Sequence, residues 1–256
     1  ENELHALVHG GLLLKITSDS NGKIVCKTHE EYLSLRSEAD PYVTISENST
    51  AQPKRVEGLA DFAQHYSKIK HRIKLFVGTE RQYCHSMSLN IKDIVEREVG
   101  LVIEKNEKIT QNKAQFVDFQ AVSGDGKMVF VEVKLFDNSA IHSIKTPPVV
   151  KQLQKYEDIL KSHKREIINA YAEQCGTYSQ LKGTFFKKKL PDPSTIHIFP
   201  TVRLIITDFD EVQFKCSLPK IRENIEKGMG WGKNSDNLIT VGNHSNINAG
   251  HIFKGI

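Results

Sequence analysis

Residues 114–138 run AQFVDFQAVSGDGKMVFVEVKLFDN. Two stretches rich in β-branched and aromatic residues flank Gly124-Asp125-Gly126, the pattern of a β-hairpin. Period-two alternation sets Phe116, Asp118 and Gln120 on one face of the first strand, with Val117, Phe119 and Ala121 on the other. On the second strand Phe130, Glu132 and Lys134 share a face, opposite Val131, Val133 and Leu135. Asp118 and Glu132 lie seven residues either side of Asp125, so a hairpin closed there opposes the two carboxylates. Opposed residues of an antiparallel pair have Cβ atoms about 4.5–5.5 Å apart. A single bulge would slip this pairing, so the register is itself a prediction.

Two like charges at that separation, on strands otherwise built for burial, are costly. A divalent cation resolves the conflict, because hard oxygen donors suit Mg²⁺, with Mn²⁺ as a substitute. Lys134 follows Glu132 on the same face, where an ammonium neutralises charge and positions a water. Metal plus lysine is what phosphodiester hydrolysis requires: a nucleophile at neutral pH and stabilisation of developing negative charge. The bland alternative is a surface ribbon whose Asp118, Glu132 and Lys134 form a solvated ion cluster of little energetic value. Apolar flanks on both faces favour a central hairpin.

Asp118, thirteen intervening residues, then Glu132-Val133-Lys134 resembles the signature of the PD-(D/E)XK, or restriction-endonuclease-like, nuclease superfamily. Val117 stands where that family often has a proline. The resemblance implies an α/β fold, a mixed β-sheet core flanked by helices. It also implies that Asp118, Glu132 and the backbone carbonyl of Val133 bind Mg²⁺ while Lys134 orients the attacking water. In VVKQLQKYEDIL (149–160), Gln152 and Tyr156 have the QxxxY spacing of the helix after the ExK strand in one branch of the family. There the glutamine supports the active site, and the tyrosine packs or touches nucleic acid. The family often adds a third acid from the helix before the hairpin. Glu80 and Glu98 both remain open for that role, with Glu96 at the edge of the same stripe. The resemblance covers roughly residues 80–160.

Outward from this segment, residues 80, 83, 84, 87, 91, 94, 95, 98 and 102 form one stripe at helical spacing, which predicts a helical stretch starting at Thr79. Gln82, three residues on, gives Thr79 a capping-box partner. Thr146 before Pro147-Pro148 is a candidate cap for a helix that presents Val149, Leu153, Tyr156 and Leu160 on one face. A strand over 202–207 and an amphipathic helix over 219–227 follow, and the last twenty residues, rich in Asn and Gly, are expected to be loops. At the other end, strands over 12–16 and 23–27 flank a Ser-Asn-Gly turn, before a short helix over 30–36 and a strand over 42–45. The polar stretch 46–58 contains Pro53 and is the candidate linker. The expected organisation is a small β-rich N-terminal unit over 1–56 and a nuclease-like domain over 57–256, with four or five strands in its sheet.

Composition limits the function classes. Of 256 residues 39% are hydrophobic and 26% charged, which excludes a disordered or fibrous chain. No apolar stretch approaches the roughly 20 residues that span a bilayer. A net charge of +4 and a pI near 8.7 admit nucleic acid as a partner but not a dedicated DNA-coating domain. Cys26, Cys84, Cys175 and Cys216 contain no CxxC pair, which excludes zinc ribbons and dithiol redox motifs. With no secretion signal, the expectation is a cytoplasmic protein. His5 with His9, and His85 beside Cys84, are read as ordinary histidines. The basic runs 68–74, 161–165 and 187–189 are candidates for a phosphate track. GMGWGK (228–233) lacks phosphate-loop spacing and has Asn234 where a magnesium-binding hydroxyl belongs, so it is rejected as a nucleotide site.

Together these readings favour a Mg²⁺-dependent DNA endonuclease, with Asp118, Glu132, Lys134 and Gln152 as its catalytic set, in restriction, defence or DNA processing. The expected partner is nucleic acid, DNA before RNA, with no membrane association; a homodimer is compatible. The alternative is a nucleic-acid-binding module with an inactive nuclease fold, and a third class is a structural or partner-binding protein.

Overall fold

Four strands open the chain: β1 (Leu4–Val8), β2 (Gly11–Ser18), β3 (Ile24–His29) and β4 (Tyr42–Ile45), paired antiparallel in that order. The predicted β2–β3 turn is present. The Asp19 carboxylate accepts from the amides of Asn21 and Lys23, each at 2.9 Å, and Gly22 supplies a left-handed φ of 77°. Helix α1 (Leu59–Phe76) lies against this sheet. At Gly11 an added Cβ would fall 2.5 Å from Ile73 and 2.6 Å from Val77, so the glycine permits the close approach. Leu13, Cys26, Phe62, Ile69, Ile73 and Val77 form the core there.

The computed structural model describes residues 3–29, 32, 42–45, 59–101, 115–143, 145–180 and 190–256. The chain divides into two units, Glu1–Ser86 and Met87–Ile256. The division falls inside α2 (Thr79–Asn90), and α1 shares its core with the N-terminal sheet. The expected linker 46–58 lies outside the described residues, as does most of the expected helix over 30–36.

In the second unit the described residues form a six-stranded mixed sheet of order β10-β9-β7-β6-β5, with short β8 beside β7. Strands β5 (Ile94–Leu101), β6 (Gln115–Val122) and β7 (Lys127–Leu135) are antiparallel neighbours. Strands β8 (His197–Ile198) and β9 (Arg203–Thr207) run parallel to β7, and β10 (Leu238–Val241) runs parallel to β9. Parallel neighbours need crossovers, and helices supply them. Helices α3 (Pro148–Ser162) and α4 (Lys164–Gln180) lie between β7 and β9, and α5 (Glu211–Cys216) and α6 (Leu218–Met229) between β9 and β10. A short α7 (Ala249–Ile252) follows. All of β9 and nearly all of β7 are buried, as central strands must be. Among the described residues no helix is long and apolar enough to cross a membrane.

Several local expectations are corrected. The helix from Thr79 ends at Asn90, and the residues assigned to its later stripe form β5. Val95, Val99 and Leu101 alternate toward the core, and β6 offers them a hydrogen-bonding edge. Gln82 does not close a capping box with Thr79. Its side-chain amide donates to the carbonyls of Lys74 at 3.0 Å and Val77 at 2.7 Å, satisfying the end of α1. Pro147, not Thr146, occupies the cap of α3, and Pro148 takes the first helical position. Within the last twenty residues β10 and α7 replace the expected loops.

Candidate functional site

The hairpin closes as its sequence predicts. Phe119 pairs with Val131, Gln120 with Phe130, Ala121 with Val129 and Val122 with Met128. This register is symmetric about Asp125, and continued one step it opposes Asp118 to Glu132. Gly126 enables the turn at a φ of 86°; a Cβ on it would lie 2.4 Å from the Thr195 carbonyl oxygen. At Asp118 the backbone ladder gives way to a side chain: the Val133 amide donates to Asp118 Oδ2 at 2.7 Å. The carboxylate is thereby held against the Glu132–Val133 peptide.

Glu132 is almost wholly buried, at 2% exposure, and Lys134 is buried at 8%. Lys134 Nζ lies 2.7 Å from Glu132 Oε1. From α3, Gln152 Nε2 donates to the same oxygen at 2.8 Å and also to the Tyr156 hydroxyl at 2.6 Å. The Tyr156 hydroxyl in turn donates to the Phe116 carbonyl on β6. These partners orient the amide without ambiguity, since its nitrogen faces two acceptors. The predicted face of α3 is the buried one: Val149, Leu153, Tyr156 and Leu160 are each at most 1% exposed. Tyr156 is packed in the core, with its hydroxyl turned to Gln152 and Phe116.

The electrostatics show the same convergence. Tyr156 is pushed up to about 12, first by burial and then by the charge of Glu132, with Asp118 adding and Lys134 opposing. Two carboxylates and one ammonium converge on this cluster. Converging carboxylate oxygens are the donor type that a hard divalent cation takes. Among the described residues no three or more His, Cys, Asp or Glu side chains form a metal-holding group. The donors that could hold a hard divalent ion are fewer: the carboxylates of Asp118 and Glu132, with the Val133 carbonyl as the third donor that the family resemblance implies. Asp118 and Gln152 are half-buried, so the cluster opens to solvent on their side.

The glutamate candidates separate. Glu80 lies in the first turn of α2, in the first unit. Glu96 and Glu98 lie on β5, not on a helix. Glu96 accepts from Gln174 of α4 at 2.7 Å. Glu98 is flanked by Arg97, paired to Phe119, and Val99, paired to Val117, which puts its backbone level with Asp118. Its φ of 50° is left-handed, an uncommon conformation for a non-glycine residue in a strand. Sequence periodicity missed this placement because it carried the helix through it.

The remaining candidates resolve as follows. In the run 68–74 the apolar Ile69 and Ile73 are buried while Lys68, Lys70 and Lys74 are exposed, an ordinary amphipathic helix. Lys161 pairs with Glu157 at 3.7 Å, and 187–189 lies outside the described residues. His5 sits on a strand, so it shares no helical face with His9; the His9 and His85 rings meet edge-on at 6.5 Å. The four cysteines are free thiols. The GMGWGK stretch ends α6: Gly230 is left-handed, and the Trp231 amide returns to the Glu226 carbonyl. No family model, curated protein or solved structure matches this chain.

Proposed function

We propose that the chain is a nuclease of the PD-(D/E)XK type with a restriction-endonuclease-like core, hydrolysing phosphodiester bonds of DNA with Mg²⁺. One observation carries the reading: a buried glutamate on a central strand receives both the lysine two residues on and a glutamine from the following helix. An aspartate from the neighbouring strand is held beside it. A surface ion cluster accounts for none of this burial.

Asp118, Glu132 and the Val133 carbonyl would hold the cation. Bound there, a divalent ion supplies charge stabilisation to the phosphodiester and acidifies a water near neutral pH. Asp118 keeps its orientation through the Val133 amide. Gln152 holds the Glu132 carboxylate, and Tyr156 holds Gln152, so the acid is oriented before substrate arrives. Lys134 offsets part of the negative charge and offers an ammonium to orient the attacking water. The half-buried side between Asp118 and Gln152 is where the phosphate would enter.

The test is incubation of covalently closed circular, linear and single-stranded DNA with Mg²⁺ or Mn²⁺. Cutting of the closed circle, lost in Asp118→Ala and in Lys134→Ala, is the expected result. Full activity in both variants overturns the reading. Salt-sensitive DNA binding without cleavage would instead identify the inert binding module.

A further inference from the structure

A groove of about 1350 Å³ lies along the free edge of β10, away from Asp118 and Glu132 in the same unit. One wall is the face of α6 that carries Pro219, Arg222, Glu223, Glu226 and Lys227, spaced by the helical repeat. The stretch after α6, from Trp231 to Asp236, and Lys254 near the C-terminus also line it. Arg222 donates to the Leu238 carbonyl and the Thr240 hydroxyl, both at 3.1 Å, so the sheet edge is already occupied. What remains open is the groove itself.

Six Lys and Arg side chains line this groove against three carboxylates. Each carboxylate has its own cation: Glu223 pairs with Lys220 at 2.8 Å, Glu226 with Arg222 at 3.0 Å, and Asp236 with Lys254 at 2.8 Å. Lys227 and Lys233 are exposed, and no ion pair is recorded for either among the described residues. Both act on Glu223, whose carboxyl is held down first by Lys220 and then by these two, so the cations are concentrated at one place.

Two aromatic side chains line the same groove. Phe214 is 51% exposed, an unusual state for a phenyl ring. It stacks on Phe209 at 6.0 Å with a 14° interplanar angle, and Phe209 meets Phe136 at 6.2 Å, directly after the strand that bears Glu132 and Lys134. Trp231, half-buried, is packed against the core at its inner side. Cations interleaved with aromatic faces are the physical requirement for a single strand of nucleic acid, whose phosphates and unpaired bases need both. A peptide of acidic residues alone supplies the charge but no planar group to stack on the rings.

We propose that this groove binds single-stranded nucleic acid outside the scissile bond, with Phe214 and Trp231 as stacking faces and Lys227 and Lys233 as phosphate contacts. The choice of nucleic acid over another polyanion rests on the nuclease reading as well as on the two rings. The groove's chemistry does not involve the hydrolytic residues, so the two ideas fail separately.

Trp231 is the only tryptophan in the sequence, so its fluorescence reports the groove directly. The full chain carrying Asp118→Ala, in EDTA, is titrated with a short oligo-dT strand. We expect quenching of Trp231 and binding that weakens with salt. Lys227→Ala with Lys233→Ala, both exposed, should reduce the log–log salt slope by about 1.4, from about 0.7 per phosphate contact. Phe214→Ala should weaken binding about 5- to 150-fold, the equivalent of about 1–3 kcal/mol for one stacked base. Absence of quenching, unchanged affinity in both variants, or equal binding and quenching by polyglutamate would each overturn the proposal. Failure of the parent protein to cut DNA in Mg²⁺ would remove the nuclease reading while leaving the titration result as it stands.

Discussion

Gln152 Nε2 donates to Glu132 Oε1 across 2.8 Å, and this bond ties α3 to the central strand β7. The same nitrogen donates to Tyr156, whose hydroxyl donates to the Phe116 carbonyl on β6. One amide thus fixes a buried carboxylate through partners on three elements. Such support commonly sets how well a ligand is oriented.

Gln152→Leu should keep the fold and weaken Mg²⁺ binding and cleavage by about 10- to 100-fold, the usual effect of losing an outer partner of a metal ligand. Gln152→Glu should be worse, since it places a further negative charge beside Glu132. Calorimetric Mg²⁺ titration of both variants is the check. An unchanged affinity in the Leu variant would separate Gln152 from the site.

Lys134→Met removes one half of a buried ion pair and leaves Glu132, at 2% exposure, without its ammonium. The expected cost is about 3–5 kcal/mol. The variant has one positive charge fewer beside two carboxylates, so Mg²⁺ should restore more stability to it than to the parent. Cleavage should still fall by at least about 100-fold, since the ammonium proposed to orient the attacking water is gone. Thermal melts with and without Mg²⁺ test the first effect, and a cleavage assay tests the second.

Tyr156 carries a pH dependence. Its hydroxyl lies at about 12, above the ordinary 10.0, with burial as the main cause and Glu132 next. A folded value above the unfolded one means that the protonated form stabilises the fold fully below pH 10.0, and that this contribution is lost as pH rises toward about 12. Tyr156→Phe should soften that alkaline loss. Near neutral pH it should cost about 1–3 kcal/mol, because the Phe116 carbonyl loses its donor. Urea titrations of parent and variant at neutral and alkaline pH are the measurement.

Glu157 is shifted in the same direction, in the acid range. It is buried on α3, and burial pushes its carboxyl up, with Lys161 and the Val202 amide opposing. The protonated form therefore contributes stability that is present below 4.5 and lost as pH rises through the folded value. Glu157→Gln keeps an acceptor for Val202 without the charge. It should melt higher than the parent at neutral pH, and the gain should vanish in acid. A variant that melts lower at neutral pH would show that the charge is compensated.

Gly126→Ala should destabilise by at least about 1–3 kcal/mol, since a φ of 86° strains any side chain and its Cβ would meet the Thr195 carbonyl at 2.4 Å. Thermal melting checks the stability. Because this turn sets the register of β6 on β7, cleavage should fall with it.

The candidate cluster was largely legible in local sequence because its parts obey local rules. Asp118 and Glu132 are symmetric about the turn, and a tight hairpin transmits that symmetry directly into register. Gln152 and Tyr156 share a helical face through their spacing alone. The helix through residue 102 was overextended because Ile94, Val95 and Glu98 also fit a helical repeat. A strand there requires an edge to pair with, and that edge comes from β6, some twenty residues on. The Leu238–Val241 strand was hidden for the same reason, since its partner is the parallel strand β9.

What the sequence determined by itself, then, is the hairpin, its register about Asp125 and the helix that follows, all governed by nearest-neighbour periodicity and turn chemistry. Tertiary structure alone decided that Gln152 reaches Glu132, that Tyr156 anchors to β6, and that Glu98 lies level with Asp118 on a strand. It also gathered Phe214, Trp231 and the α6 lysines around one groove. The physical reason is common to all of these. Backbone pairing and side-chain convergence between distant segments depend on partners that no local pattern encodes.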